Sequence, residues 1–199
     1  LIEMTVKPRI NKTDSFFNKV GLESPRLDAE VLLADLLDME RINLYVNFDY
    51  PLTTHELEEY RERVRQRAKR IPVAYITGKK EFMSMEFHIE PGVLIPRPET
   101  ELLVEKVIDF CKENELKNAN IIDIGTGSGV VAISLAKYVE DARTVGVDIS
   151  KKAVDVARKN LAEHSLEERV SIVNGNLLEQ FIKRDINNID IVVSNPPYI

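Results

Sequence analysis

The sequence predicts an α/β protein in which a doubly wound parallel sheet follows a small helical bundle and a β-hairpin linker. Two patterns favour this fold class. The first 71 residues combine helical periodicity with helix-start signals. From residue 119 onward, short apolar runs alternate with helical segments, as they do in parallel sheets whose ligand loops follow the carboxyl ends of the strands. We therefore expect three parts, at residues 1–71, 72–95 and 96–199.

The part at residues 1–71 is expected to be a bundle of helices. Ser24 and Pro25 fit the N-cap and the first position of a helix, and Thr53 and Glu56 have the spacing of a capping box. Apolar side chains at three- and four-residue spacing follow the first of these starts: Leu27, Val31, Leu32, Leu36 and Met39. These signals predict amphipathic helices.

Residues 72–95 are expected to link the bundle to the sheet. The pattern predicts a strand over residues 73–77, a turn at 78–80 and a second strand over 81–89. A helix should then follow the proline-rich segment 96–100. Its buried side is expected to contain Leu102, Leu103, Val107, Ile108 and Cys111.

The third part is expected to hold about four strands of one parallel sheet. The predicted strands are residues 121–124, 143–147, 170–173 and 189–193, with helices at 130–138 and 151–162. Because consecutive strands are separated by helices, the sheet should be doubly wound and should bind its ligand at the carboxyl ends of the strands.

Composition excludes several classes of protein. With 44% apolar and 30% charged residues, the chain of 199 residues has the balance of a globular protein, and no apolar run approaches the ~20 residues of a membrane helix. The net charge of −6 disfavours a protein that wraps nucleic acid. A single cysteine, Cys111, fits a reducing cytoplasm. His55, His88 and His164 adjoin no cysteine, so we expect no metal site.

A glycine-rich loop follows the first predicted strand of the sheet. It contains Asp123, Gly125, Thr126, Gly127, Ser128 and Gly129. Glycine gives such a turn its permissive φ and lets a ligand approach the backbone. The spacing G-x-G-x-G is one residue tighter than the dinucleotide fingerprint, so the ligand need not carry a pyrophosphate. Glycines used only for packing would produce the same pattern.

Asp148, at the end of the second strand, is the expected acidic partner of this loop. A carboxylate at that position can accept hydrogen bonds from both hydroxyls of a ribose. Asp148 could instead cap the next helix, but Ser150 is available for that role. We therefore favour a nucleoside-containing ligand.

The sequence Asn195-Pro196-Pro197-Tyr198 follows the fourth strand. Proline lacks an N–H and restricts the residue before it, so two prolines make a stiff corner rich in acceptors. The Asn195 side chain and the Pro196 carbonyl can receive both protons of a planar NH2 group. A simple turn is the structural alternative.

Three features together resemble class I S-adenosylmethionine-dependent methyltransferases, which have a Rossmann-like sheet. They are this corner, the glycine loop and the acidic end of the second strand. Three segments further resemble the HemK-type protein-(glutamine-N5) methyltransferases, which modify peptide chain release factors: Tyr75-Ile-Thr-Gly78, Glu81-Phe82-Met83 and the segment 94–101. The match runs from about residue 20 to the last residue. Residues 1–71 would then recognise the substrate, residues 96–199 would bind the cofactor, and release factors would be the partner.

The resemblance also implies roles for single residues. Asp123 and the loop residues Gly125, Thr126, Gly127, Ser128 and Gly129 would hold the methionine part of the cofactor, and Asp148 its ribose. Asn176 stands where the family commonly has an aspartate that holds the adenine amino group, so weaker binding is expected. Leu177 would lie against the adenine ring. Arg97, Glu99 and Thr100 would either line the cofactor entrance or only begin a helix.

The resemblance makes Asn195, Pro196, Pro197 and Tyr198 the catalytic residues, with Asn195 also beside the cofactor. Asn195 and the Pro196 carbonyl would hold the amide nitrogen of a glutamine in line with the methyl group, and Tyr198 would pack on the amide plane. No general base is expected before methyl transfer.

Two other functions stay open from the sequence. An adenine-N6 or guanine-N2 methyltransferase of DNA or RNA could use the same corner, although the net acidity disfavours it. The chain could also be a non-catalytic fragment that binds the cofactor. Related sheets resemble a seven-stranded arrangement, so about three strands would be missing and residues 189–193 would form an open edge prone to self-association. The basic run over 61–70 could dock a release factor or ribosomal RNA, but a solvated helix face is favoured.

Overall fold

The computed structural model describes residues 4–183 and 188–196, and the chain forms two compact units, Leu1–Gly78 and Lys79–Ile199. The hairpin belongs to the second unit. The three-part division expected from the sequence stays a prediction.

The first unit is a bundle of helices, as predicted for residues 1–71. Its helices are α1 (Val6–Lys19), α2 (Pro25–Leu36), α3 (Asn43–Val46), α4 (Thr54–Ala68) and α5 (Val73–Thr77). The most fully buried large side chains of this unit are Ile10, Phe17, Leu32, Leu33 and Leu44. They form one apolar core among the helices, and their burial supplies the main favourable free energy of the fold.

Both predicted helix starts are confirmed. Ser24 is the N-cap of α2 and Pro25 its first residue, although the Ser24 side chain accepts no capping hydrogen bond. At α4 the capping box is complete, because the Glu56 amide donates to Thr53 Oγ1 at 3.2 Å and the Thr53 amide donates to Glu56 Oε2 at 2.6 Å. Two of the N–H groups at the start of α4 are thereby satisfied.

The strand predicted over residues 73–77 is wrong, because this segment is the helix α5. The β-branched residues there favour a strand, but Pro72 is the N-cap and Gly78 ends the turn at φ 74°. The hairpin lies further along, between β1 (Lys79–Phe82) and β2 (Met85–His88), and replaces the predicted single strand over 81–89.

Two side chains expected on buried faces are exposed. Leu27 of α2 is exposed, while Ala29 and Leu33 are fully buried. In α6 (Pro98–Glu113), Leu102 is exposed and Val104 takes its place in the core. The spacing of leucines along a helix does not show which of its sides other elements of the fold will cover.

The second unit contains a four-stranded parallel sheet with helices between the strands, which confirms the predicted doubly wound α/β fold. After α6 the order is β3 (Asn120–Ile124), α7 (Val130–Tyr138), β4 (Arg143–Asp148), α8 (Lys151–His164), β5 (Val170–Asn174), α9 (Glu179–Lys183) and β6 (Ile191–Ser194). The sheet order is β5-β4-β3-β6.

The strand register brings four carboxyl ends together. Ile124 of β3 lies opposite Val147 of β4 on one side and Ser194 of β6 on the other. Asp148 of β4 lies opposite Asn174 of β5. The chain runs from β3 to β4 and β5 and then returns to the other side of β3, so the switch in strand order lies at β3. Ligands of such sheets bind in the crevice outside this point.

Candidate active site

A cavity of about 390 Å³ lies outside the carboxyl ends of the strands. This volume is within the range of small-molecule sites, ~300–1,000 Å³. Of the residues predicted from the sequence, the following line it: Asp123, Gly125, Thr126, Gly127, Ser128, Asp148, Asn176, Leu177, Asn195 and Pro196. Gly129 is not among the lining residues, and Pro197 and Tyr198 lie outside the described residues.

The glycines of the loop after β3 have two different roles. Gly125 has φ +73°, and a Cβ added to it would meet no atom within 4 Å, so its backbone faces open space in the cavity. Gly129 has φ +85°, and a Cβ there would lie 3.1 Å from both Ala157 and Ile133. The first glycine leaves room for a ligand, whereas Gly129 lets α7 start close against α8.

The end of β4 holds this loop in place. The backbone amides of Gly125 and Thr126 donate to the Val147 carbonyl at 2.8 and 3.0 Å. The Gly127 amide donates to Asp148 Oδ2 at 2.9 Å. The second oxygen of that carboxylate accepts from the Ser150 amide at 2.9 Å. Each carboxylate oxygen has a further lone pair, so Asp148 can still accept hydrogen bonds from a ligand.

Asp123 is buried beneath the loop. Thr126 Oγ1 donates to Asp123 Oδ2 at 2.6 Å. Burial raises the pKa of the Asp123 carboxyl to about 6, against the hydrogen bond from Thr126, which lowers it. The charge of Asp148 adds to the rise. Asp123 is therefore a buried carboxyl group that changes protonation in mildly acidic solution.

Two residues that support the loop were not found from the sequence. A Cβ on Gly146 would lie 2.6 Å from Thr126 Oγ1, so only glycine leaves room for that hydroxyl. Asn160 of α8 is fully buried and donates from Nδ2 to the Ser128 carbonyl at 2.8 Å. A glycine inside an apolar strand is a signal for close approach and could have identified Gly146.

One end of the cavity combines an amide with two exposed apolar side chains. Asn176 Nδ2 donates to Glu179 Oε1 at 2.6 Å. Because a carboxylate can only accept, this contact assigns the amide nitrogen, and Asn176 Oδ1 points away from it as an acceptor that no other described residue occupies. Leu177 and Ile149 line the same cavity with exposed fractions of 61% and 74%. Ile149 was not predicted, although an apolar residue directly after Asp148 is visible in the sequence.

Asn195 follows β6 and meets the first turn of α6. Its Nδ2 donates to Thr100 Oγ1 at 2.8 Å, and Thr100 is only 6% exposed. The sequence left open whether Arg97, Glu99 and Thr100 line the cofactor entrance or only begin a helix. Thr100 lines the cavity, whereas Arg97 is the N-cap of α6 and Glu99 lies in its first turn. The hydrogen bond fixes the amide plane and leaves Asn195 Oδ1 unoccupied by Thr100.

No group of three or more His, Cys, Asp or Glu side chains in the described part of the chain could hold a metal ion. None of the described helices is long and apolar enough to cross a membrane.

Comparison with known proteins identifies both parts of the chain. Residues 10–78 match the PrmC N-terminal domain, and residues 98–199 match the methyltransferase small domain. The release factor glutamine methyltransferase of Clostridium acetobutylicum is 42% identical over 98% of this chain and 68% of its own length. The enzyme of the same name from Leptospira interrogans is 43% identical over 96% of this chain and 66% of its own length. The chain thus spans about two thirds of the length of these relatives.

Solved structures resemble part of the chain. An RNA methyltransferase from Salinibacter ruber, in complex with S-adenosyl-L-homocysteine, has 27% sequence identity and a TM-score of 0.41, and the alignment covers 50% of this chain and 60% of that one. The family matches, rather than this partial likeness, identify the cofactor as S-adenosyl-L-methionine.

The cavity fits this cofactor. The open backbone at Gly125 and the carboxylate of Asp123 suit an amino acid moiety, and Asp148 keeps lone pairs for ribose hydroxyls. Ile149 and Leu177 offer apolar surface to a flat ring, and Asn176 Oδ1 can accept from an amino group. These residue roles remain predictions.

The raised pKa of Asp123 predicts a pH-dependent stability. Its folded pKa of about 6 exceeds the ordinary 3.8, so its contribution to the free energy of unfolding is fully present below pH 3.8 and is lost as pH rises through 6. Two pKa units correspond to roughly 3 kcal/mol. Urea unfolding should show that the free energy of unfolding of wild type falls by about this amount, relative to that of Asp123→Asn, between pH 4 and pH 7. Asp109→Asn, at an exposed position, is the matched control. If the difference in free energy of unfolding between wild type and Asp123→Asn did not change with pH, the raised pKa of Asp123 would be contradicted.

The contact between Asn176 and Glu179 predicts that an aspartate at position 176 is unfavourable here. Asn176→Asp places two carboxylates together, so its affinity for S-adenosyl-L-homocysteine should fall about fivefold, or ~1 kcal/mol. Glu179→Gln alone should leave affinity unchanged, because its amide oxygen still accepts from Asn176. In Asn176→Asp/Glu179→Gln the loss should disappear. Calorimetry at low salt measures this cycle, and an equal effect of Asn176→Asp with and without Glu179 would refute the coupling.

Proposed function

We propose that this chain, which belongs to the family of release factor glutamine methyltransferases, transfers the methyl group of S-adenosyl-L-methionine to the side-chain nitrogen of a glutamine in a peptide chain release factor. One observation carries the proposal. Asn195 and Pro196 line the same cavity as the glycine loop, and Thr100 holds the Asn195 amide so that Oδ1 is available. This arrangement supports a site in which an NH2 group and the cofactor meet.

The chemistry requires a planar amide to be held in one orientation. The nitrogen of a glutamine amide is a weak nucleophile, because its lone pair is delocalised into the carbonyl. Asn195 Oδ1 and the Pro196 carbonyl can each accept one N–H of that group. Such positioning can contribute up to ~7–11 kcal/mol to lowering the barrier. The cofactor, when bound, supplies an electrophilic methyl group on a sulfonium.

The same acceptors favour charge development during transfer. Positive charge grows on the glutamine nitrogen as the new bond forms, and Asn195 Oδ1 and the Pro196 carbonyl point their negative dipole ends at its protons. The proton can leave to solvent after the transfer, so no base is required before it. Pro197 and Tyr198, which lie outside the described residues, would stiffen the corner and pack on the amide plane.

The partner and the location follow from this proposal. Release factors act in translation, so the proposed place of action is the cytoplasm. The helical unit would recognise the release factor, and no direct contact with nucleic acid is expected. Self-association through the edge strand β6 stays a prediction.

Asn195→Ala should abolish methyl transfer without removing the cofactor. Because Oδ1 is lost while the glycine loop is intact, we expect methyl incorporation into purified release factor to fall by at least 100-fold, in line with the loss of a positioning acceptor. Affinity for S-adenosyl-L-homocysteine should change little. Labelled cofactor measures the first quantity and calorimetry the second.

Asn114→Ala, a change of the same kind at an exposed site on the C-cap of α6, is the matched control and should keep wild-type turnover. Normal turnover of Asn195→Ala would refute the proposed role. If the labelled methyl group were transferred to DNA or RNA and not to the release factor, nucleic acid would replace the release factor as the substrate.

Thr100 should act as a positioning residue for Asn195. Thr100→Val removes the hydroxyl that accepts from Nδ2, leaves a partly buried donor unpaired and frees the amide to rotate. A penalty of ~1–3 kcal/mol predicts a fall in kcat of about tenfold or more. KM for the release factor should change little.

Thr100→Ser keeps the acceptor and should retain most of the activity. A purely structural role for Thr100 would lower thermal stability without the selective fall in kcat. Equal kcat values for Thr100→Val and wild type would rule out the positioning role.

A further inference from the structure

A second cavity, of about 300 Å³, lies between α1 and α4 in the first unit. Its apolar lining comes from Phe16, Leu57, Tyr60 and Val64. Four cationic side chains also line it: Arg9, Lys12, Arg61 and Arg65. We call this cavity the α1–α4 pocket.

The cations of the α1–α4 pocket are incompletely paired. Arg65 contacts Glu62 at 3.3 Å. Arg9, Lys12 and Arg61 form no ion pair with any carboxylate in the described part of the chain. Three neighbouring positive charges without counter-charges repel one another, so an anionic group bound among them would be stabilised.

Arg9 adds a second observation. Its Nε is buried and has no hydrogen-bond partner among the described residues. Leaving a buried donor unsatisfied costs ~1–3 kcal/mol, so native proteins rarely keep one without a reason. An acceptor brought by a ligand in the α1–α4 pocket would satisfy it.

The apolar side of the α1–α4 pocket defines the rest of the ligand. Phe16 is 42% exposed, so its side chain offers apolar surface at the cavity. The Tyr60 hydroxyl donates to the Ala29 carbonyl at 3.0 Å, so Tyr60 is already engaged there. The ligand therefore combines an anionic group with an aromatic or aliphatic group.

We propose that the α1–α4 pocket docks a segment of the release factor in which an acidic residue stands beside an aromatic or aliphatic one. This inference rests on the proposed function, which supplies the protein partner. A carboxylate would lie between Arg9 and Arg61, and the apolar side chain would cover Phe16. Arginine and aromatic residues in a concave site are the usual centres of binding energy at protein interfaces.

A protein segment fits this pocket better than RNA. Nucleic acids gain affinity from many phosphate contacts along an extended basic track. The α1–α4 pocket is small and concave, and four of its nine lining residues are apolar, which suits one or two side chains. The chain as a whole carries a net charge of −6.

Substitutions that remove positive charge from the pocket test whether it binds the anionic group of the ligand. Calorimetry should show that Arg9→Gln/Arg61→Gln binds purified release factor about tenfold more weakly than wild type at 50 mM salt, and the difference should shrink at 200 mM salt. The matched control is Lys19→Gln/Lys69→Gln, which removes the same charge from exposed positions outside the pocket. The control should bind as wild type does.

Phe16→Ala tests the apolar half. Because this side chain is substantially exposed, the substitution should leave folding intact, which circular dichroism checks. Affinity for the release factor should fall severalfold without a change in its salt dependence. This pattern separates an apolar contact from a general electrostatic attraction.

Three outcomes of the binding measurements would overturn the docking site. They are equal affinity of Arg9→Gln/Arg61→Gln and its control, no binding of release factor to wild type, or a selective loss of RNA binding in the pocket variant. A different result would refute the proposed function alone: wild type would bind release factor through the pocket and transfer no methyl group to it. Unchanged methyl-transfer kinetics in the pocket variant would refute only the docking site.

Discussion

The candidate active site depends on how the glycine loop after β3 is held against the end of β4. The Val147 carbonyl accepts two backbone amides of the loop, and Asp148 accepts a third, from Gly127. On the other side Asn160 binds the Ser128 carbonyl from a fully buried position. A loop rich in glycine has high conformational entropy when unfolded, so its order requires such contacts. The same carboxylate that orders the loop also faces the cavity, which couples the loop's shape to the proposed ribose contact.

Asparagine amides define the acceptors of the site. In Asn176 and Asn195 the Nδ2 group donates to a protein acceptor, Glu179 in one case and Thr100 in the other. The Glu179 carboxylate can only accept, so its contact determines which end of the Asn176 amide is the oxygen, whereas the Thr100 hydroxyl holds the plane of the Asn195 amide. Both oxygens are proposed to receive NH2 groups, one from adenine and one from glutamine. A second residue thus orients each amide, so replacing Thr100 by a residue without an acceptor would change recognition without touching the ligand.

The sequence predicted what depends on local spacing and missed what depends on distant contacts. The alternation of strands and helices in the second unit and the capping box at Thr53 follow from periodicity and side-chain chemistry over a few residues, and both are confirmed. The helix at residues 73–77 was missed because β-branched residues outweighed the Pro72 and Gly78 boundaries. The contact between Thr100 and Asn195 joins residues 95 positions apart, and no pattern of neighbouring residues encodes it.

Charge is distributed unevenly along the proposed ligand path. Carboxylates lie beneath and beside the glycine loop, at Asp123 and Asp148, where the cofactor's amino group and ribose are proposed to bind. The corner at Asn195 and Pro196 offers neutral acceptors instead. A neutral amide oxygen attracts the N–H groups of glutamine through its dipole and needs no counter-charge of its own. A carboxylate there would be repelled by the buried Asp123 whenever that group is ionised. Neutral acceptors therefore orient the nitrogen without adding charge to a cavity that already holds two acidic groups.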